Sequence, residues 1–123
     1  MFEKLAITRM AQAMASHAGT RQAIVSQNIA NADTPGYKAR DLPDFAAAYA
    51  GGMRATRSGH IQPASSENAP VIRDATALAD PNGNTVSLEA EMVKSVEVRQ
   101  QHDMALSIYR ATSDMLRTSL GRR

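Results

Sequence analysis

The chain has 123 residues, one domain's worth of polypeptide, with a formal net charge of +2. Cysteine is absent, which excludes disulfide scaffolds, thiolate zinc sites and cysteine nucleophiles. Aromatic residues make up only 4%, and the apolar share is mostly alanine, methionine and short aliphatics, so it predicts long thin helices that pack against something else rather than a thick self-sufficient core.

No apolar run approaches the ~20 residues that span a bilayer. The N-terminal Met1-Phe2-Glu3-Lys4 leads into an amphipathic pattern containing Arg9, not a signal-peptide core, so any export is expected by a route without a cleaved signal. The small net charge sets no expectation of nucleic acid.

All five prolines, and five of the seven glycines, lie between Pro35 and Gly83. Proline removes a backbone donor and clashes inside a helix. The distribution therefore divides the chain into an N-terminal axial helix within residues 1–33, an irregular stretch over 34–83, and a C-terminal axial helix within 84–123.

The first helix is expected from about Phe2 to about Ala30. Ile7, Met10, Met14, Ala18, Val25 and Ile29 recur near the spacing of a coiled-coil seam, with Arg21 interrupting the row.

In the stretch after it, Asp41 is expected to cap a short helix through Ala50, ended by Gly51-Gly52. His60-Ile61 and Pro70-Val71-Ile72 are expected as brief strands. The remainder, poor in large apolar residues, is expected to be partly disordered until a partner orders it.

Asp80-Pro81-Asn82-Gly83-Asn84 is a dense turn signal. The second long helix follows it, with Asn84 or Thr85 as N-cap and Glu89 and Glu91 at the positive end of its dipole. One row on this helix contains Leu88, Met92, Leu106, Tyr109, Leu116 and Leu120. Another contains Val93, Val96, Met104, Ile108, Ala111 and Met115. A helix apolar on two faces calls for two packing partners, and a chain this short supplies one, which points to assembly. The fold expected is mainly α, with the two terminal helices paired as a coiled-coil-like bundle.

Few residues suggest chemistry. His17, His60 and His102 fall one to a region, and none has a second ligand at metal-binding spacing. His17 is placed to face His102 if the helices pair antiparallel, yet two ligands do not make a zinc site. There is no phosphate loop and no nucleophile elbow. The reading is of a non-enzymatic chain with no cofactor and no metal.

The one dense motif runs from Ser26 to Lys38. It ends the first helix, with Asn31 suited to a left-handed cap and Thr34-Pro35-Gly36-Tyr37 to a type II turn. Asn28 and Asn31 are placed to satisfy free carbonyls or to reach a neighbour's backbone.

The stretch Asn28-Ile29-Ala30-Asn31-Ala32-Asp33-Thr34-Pro35-Gly36-Tyr37 resembles the signature of the bacterial flagellar rod, hook and hook-associated axial proteins. The continuation Lys38-Ala39-Arg40-Asp41-Leu42 and the block Asn84 to Met92 resemble the proximal rod members. The resemblance covers residues 1–45 and 82–120 and leaves 46–81 unmatched.

The resemblance implies a structural rod subunit of the flagellar basal body. Such subunits stack helically into a tube that transmits torque and walls the export channel. It also implies export through the flagellar type III apparatus to a periplasmic position. The implied partners are copies of itself, other rod proteins, the rod adaptor protein FliE and the MS ring, without direct membrane insertion or nucleic acid. In this reading Asn28, Asn31, Thr34, Pro35, Gly36 and Tyr37 form the turn and assembly motif. Ile7, Met10, Met14, Val25 and Ile29 pack against Leu88, Met92, Leu106, Tyr109, Leu116 and Leu120, within a subunit and between neighbours. The rival is a soluble helical adaptor or export cargo that binds a partner helix without polymerising.

Overall fold

The computed structural model describes residues 2–50, 72–73 and 78–121. Its frame is two long helices, α1 (Phe2–Ala30) and α3 (Leu88–Ser119), packed against each other. Gln22 bonds Ser95 and Asn28 bonds Glu91, so rising numbers on one helix meet falling numbers on the other and the pair is antiparallel. Between them come β1 (Arg40–Asp41), the short helix α2 (Phe45–Ala50) and β2 (Ile72–Arg73). The two strands pair antiparallel, Arg40 opposite Arg73 and Asp41 opposite Ile72. The chain is mainly helical, as its proline distribution predicts.

The seam between the helices is built from small residues. On α1 the buried column is Ala11, Ala18 and Val25, seven residues apart, with Arg21 and Asn28 beside it. On α3 it is Glu91, Val98, Ala105 and Thr112, again seven apart. A strict seven-residue repeat keeps one stripe facing the partner along the whole length. Ala11, Ala18 and Ala105 leave little bulk to hold the backbones apart. Thr112 satisfies its buried hydroxyl by donating to the Ile108 carbonyl (2.8 Å).

The bulky residues of the expected rows sit at the edge of this seam or outside it. Val25 is buried, and Met14, Ile29, Leu106 and Leu116 are half-buried. Ile7, Met10, Leu88, Met92, Tyr109 and Leu120 are exposed.

Several local expectations need correction. The N-cap of α3 is Ser87, whose side chain accepts from the Ala90 N–H, not Asn84 or Thr85. Those two serve other groups: the Asn84 amide reaches the end of α1, and the Thr85 hydroxyl accepts the Ala39 N–H (2.8 Å). The short helix begins at Phe45 rather than after Asp41, because Asp41 is held in β1 and by Arg21. Asn31 is not left-handed, since among the described residues only Gly36, Gly83 and Gly121 have positive φ. Part of the expected Pro70–Ile72 strand appears as β2. Gly51-Gly52, His60-Ile61 and the expected disorder fall on residues outside those described.

Candidate assembly site: a clasp between the end of one helix and the start of the other

The motif at the end of α1 and the turn before α3 meet and hold each other. Thr34-Pro35-Gly36-Tyr37 is a closed β-turn: the Tyr37 N–H donates to the Thr34 carbonyl (3.2 Å) and Gly36 has φ 73°. That sign at the third turn position is the type II geometry expected from the residues. The second turn closes with the Gly83 N–H on the Asp80 carbonyl (2.8 Å), with Gly83 at φ 83°. A Cβ on Gly83 would stand 3.5 Å from the Gly36 Cα, so the turns touch backbone to backbone.

Hydrogen bonds stitch them together. The Gly36 N–H donates to the Asn82 carbonyl (3.0 Å), and the Thr85 N–H to the Tyr37 carbonyl (3.0 Å). The Lys38 ammonium donates to the Gly83 carbonyl (2.9 Å). The Asn84 amide nitrogen lies 2.9, 2.7 and 2.9 Å from the carbonyls of Asn31, Ala32 and Thr34. A helix end leaves its last carbonyls without intrahelical partners. At α1 the Asn31 and Ala32 N–H groups take the carbonyls of Gln27, Asn28 and Ile29, and one side chain from the other limb covers three carbonyls of the segment just beyond. It has two protons for three acceptors, so at least one bond is shared. Its oxygen accepts the Val86 N–H (2.8 Å), which fixes the amide's orientation.

Behind the clasp lies a buried polar network. Asn28 is fully buried and makes four hydrogen bonds within the chain. Its amide donates to the Arg40 carbonyl (2.7 Å) and the Glu91 carboxylate (3.1 Å). Its oxygen accepts from the Tyr37 hydroxyl (3.1 Å) and the Arg40 N–H (3.2 Å). Glu91, only 2% exposed, also takes the Lys94 ammonium at 3.3 Å, and Lys94 lies 3.7 Å from Asp41.

Arg21 clamps Asp41 in bidentate fashion at 2.9 and 3.1 Å. The Asp41 hydrogen bond raises the Arg21 pKa above its ordinary value. Desolvation opposes this, while the charges of Asp41, Asp44 and Glu97 reinforce it. Opposite charges thus alternate along Arg21, Asp41, Lys94 and Glu91, each supplying part of the stabilisation lost on leaving water. The contacts that cross between the limbs, Asn28 to Glu91 and Lys94 to Asp41, set the register: one helical turn of slip would break both.

These contacts place each expected motif residue. Asn28 and Tyr37 are committed to the chain's own network. Asn31, half-buried, donates to the Gln27 carbonyl (2.8 Å) and accepts from the Thr34 hydroxyl (3.2 Å), while Thr34, Pro35 and Gly36 are exposed at the tip.

The histidines part company. His17 Nε2 bonds the Pro43 carbonyl (2.9 Å) and its ring meets Phe45 edge-on at 5.6 Å. His102 lines a groove of about 430 Å³ with Ala18, Gly19, Gln22, Ser95, Val98 and Arg99. Among the described residues no group of three or more histidines and carboxylates is placed to hold a metal ion, and no helix is long and apolar enough to cross a membrane.

By spacing and residue type alone Asn84 and Glu91 take local helix-end roles, Asp41 a cap and Arg21 a break in a row. The available signal was spacing. Arg21 and Asn28 are seven apart, and Glu91 is in step with Val98, Ala105 and Thr112, so polar residues fall on the repeat that marks the seam.

The fold is a clasped antiparallel pair of long helices with a TPGY turn just past the end of the first, and sequence comparison gives its family. Residues 9–38 match the family model described as "Flagella basal body rod protein". The "Flagellar basal body rod protein FlgB" of Salmonella typhimurium is 34% identical, covering 72% of this chain and 73% of that one. The Escherichia coli protein of the same name is 33% identical, covering 87% and 88%, and that of Agrobacterium fabrum 28%, covering 93% and 92%. The chain belongs to the FlgB family of flagellar basal body rod proteins. Its place is therefore in the rod of the basal body, as a structural component that assembles with other rod proteins.

Proposed function

We propose that the chain is a subunit of the proximal rod that carries torque along the tube and contributes to the wall of the export channel. The observation that carries this reading is the division of the hairpin. Its polar clasp fixes two long helices in one register, while the large apolar side chains Ile7, Met10, Leu88, Met92, Tyr109 and Leu120 stay outside the intrachain seam. Side chains of that kind are free to pack on other subunits. Contacts that join two different surfaces, and so do not close on themselves, generate a helical filament rather than a ring. Torque passes through such a tube because each hairpin resists shear: sliding α1 on α3 would break the Asn28–Glu91 and Gln22–Ser95 bonds.

In this reading residues 1–33 and 84–123 are the axial limbs. Residues 34–83 form the connection between them, with Thr34, Pro35, Gly36 and Asn31 at a tip open to adjacent subunits. Placement at the rod base, against the adaptor FliE and the MS ring, and delivery to the periplasmic space by the type III apparatus without signal cleavage belong to the same proposal. They rest on the family and on the chain's likeness to proximal rod members. The test is deletion of the gene in its own host, with basal bodies viewed by electron microscopy. The expected result is non-motile cells with MS rings that lack rods, restored by the intact gene. Complete rods and normal swimming in the deletion strain would overturn the reading.

A further inference from the structure

Asn82-Gly83 is the one Asn-Gly pair of the chain, and it lies in the clasp. The backbone nitrogen that follows an asparagine is a nucleophile within reach of the side-chain amide carbon. Glycine, with no Cβ, hinders that attack least. Asn82 is exposed, so water and base have access to it.

In the closed clasp the reacting atoms are held apart. The Gly83 N–H donates to the Asp80 carbonyl (2.8 Å), and Asn82 does not have a positive φ. A closed turn of that kind, with Pro81 second and Asn82 third, is type I, in which the third residue has ψ of about 0°. That angle eclipses the Gly83 nitrogen with the backbone nitrogen of Asn82. Closing a five-membered ring needs the Gly83 nitrogen eclipsed with the Asn82 Cβ instead. The Asn82 side chain is occupied as well, its Oδ1 accepting the Asn84 N–H (3.0 Å). Reaction therefore requires the turn to open. The clasp opposes this through the Gly36 N–H on the Asn82 carbonyl (3.0 Å) and the Asp80 N–H on the Asn84 carbonyl (2.8 Å).

We propose that Asn82 is a deamidation site that the closed clasp protects, and that its β-linked product cannot close the clasp again. The Gly83 nitrogen gives up its proton to base and bonds to Asn82 Cγ. The side-chain nitrogen takes a proton and leaves as ammonia, so the Cγ–N bond breaks and a cyclic imide remains. Water then opens the ring, and nothing is oxidised or reduced. Addition at Cγ leaves an ordinary aspartate. Addition at the former main-chain carbonyl carbon leaves isoaspartate, with Cβ inserted into the backbone and that carbonyl turned into a free carboxylate. It is this carbonyl that accepts the Gly36 N–H. The added carbon also lengthens a turn already packed against Gly36, where a Cβ on Gly83 would stand 3.5 Å from the Gly36 Cα. Asn84 then loses its register with the carbonyls of Asn31, Ala32 and Thr34. Closure preserves the residue that closure needs, and a chain left open forfeits the ability to close. The inference goes beyond the rod reading and does not depend on it.

The test holds the full chain in warm, mildly alkaline buffer with and without urea. Mass spectrometry follows the Asn82 peptide, and labelling by an isoaspartate methyltransferase identifies the β-linked product. Deamidation is expected to be about tenfold or more slower without urea, because only the open fraction of molecules reacts. Asn84→Ala, which weakens the clasp, is expected to speed the reaction without urea and to leave the rate in urea unchanged. The isoaspartate chain, purified and returned to urea-free buffer, is expected to lose amide-exchange protection at Gly36, Tyr37, Gly83 and Thr85. Asn82→Asp, which adds the charge without the backbone carbon, is expected to keep it. Equal rates with and without urea, no acceleration by Asn84→Ala, or an isoaspartate chain no less protected than the Asn82→Asp chain would each overturn the proposal.

Discussion

The two halves of the hairpin are held by different physics. The clasp half contains Asn28, Tyr37, Asn84, Glu91 and the Arg21–Asp41–Lys94 charges, mostly buried and bonded to one another. The open half meets through Ala11, Ala105 and Thr112, with Ile7, Met10, Tyr109 and Met115 exposed beside them. Hydrogen-bonded charges demand one geometry, so the clasp half specifies register. Alanine burial is weakly selective and small in area, so the open half holds little on its own. A rod subunit has use for both properties: one end that fixes its own shape and one end left adaptable for neighbours.

The sharpest way to break this contrast is at Glu91. Glu91→Ala removes the buried carboxylate that takes the Asn28 amide and one of the two carboxylates beside Lys94, Asp41 being the other, and is expected to destabilise the folded chain by about 2–3 kcal/mol, read by urea denaturation. Asn84→Ala uncovers the carbonyls of Asn31, Ala32 and Thr34 just past α1. It is expected to lower stability by about 1–3 kcal/mol and to speed amide exchange in the turns of both limbs. Gly36→Ala places a side chain at φ 73°, and open space around its Cβ means that the effect is backbone strain alone. A loss of about 1–2 kcal/mol is expected, and more for the β-branched Gly36→Val, which should also abolish swimming. At the open end, Ile7→Ser is expected to change the isolated chain's stability by about 0.5 kcal/mol or less, and yet to impair motility in a plate assay. A motility defect from Ile7→Ser that came with a large stability loss would erase the difference between the halves.

The limits of the long helices were legible because proline and glycine mark them. Phe2–Ala30 emerges as drawn from the sequence, and the TPGY turn has the sign of φ that its glycine announces. The intrachain seam was harder to see. Large side chains dominate a periodicity search, but here the helices meet through Ala11, Ala18 and Ala105, and the larger residues are displaced to the margins. The clasp was illegible for a different reason. Asn84 and Thr34 are 50 residues apart. Nothing local distinguishes an asparagine that caps its own helix from one that reaches across to another. Asp41 likewise has the look of a cap residue until Arg21, 20 residues earlier, comes into contact with it.

The account rests on the clasp half being the part that the chain stabilises by itself, with the open half completed by neighbours. Amide hydrogen exchange on the isolated chain and on purified basal bodies tests this directly. In isolation, protection is expected to be greatest in residues 21–31 and 88–102 and least in 2–10 and 109–119, with the latter segments gaining protection in the rod. Equal protection along both helices of the isolated chain, or an open half unchanged by assembly, would contradict it.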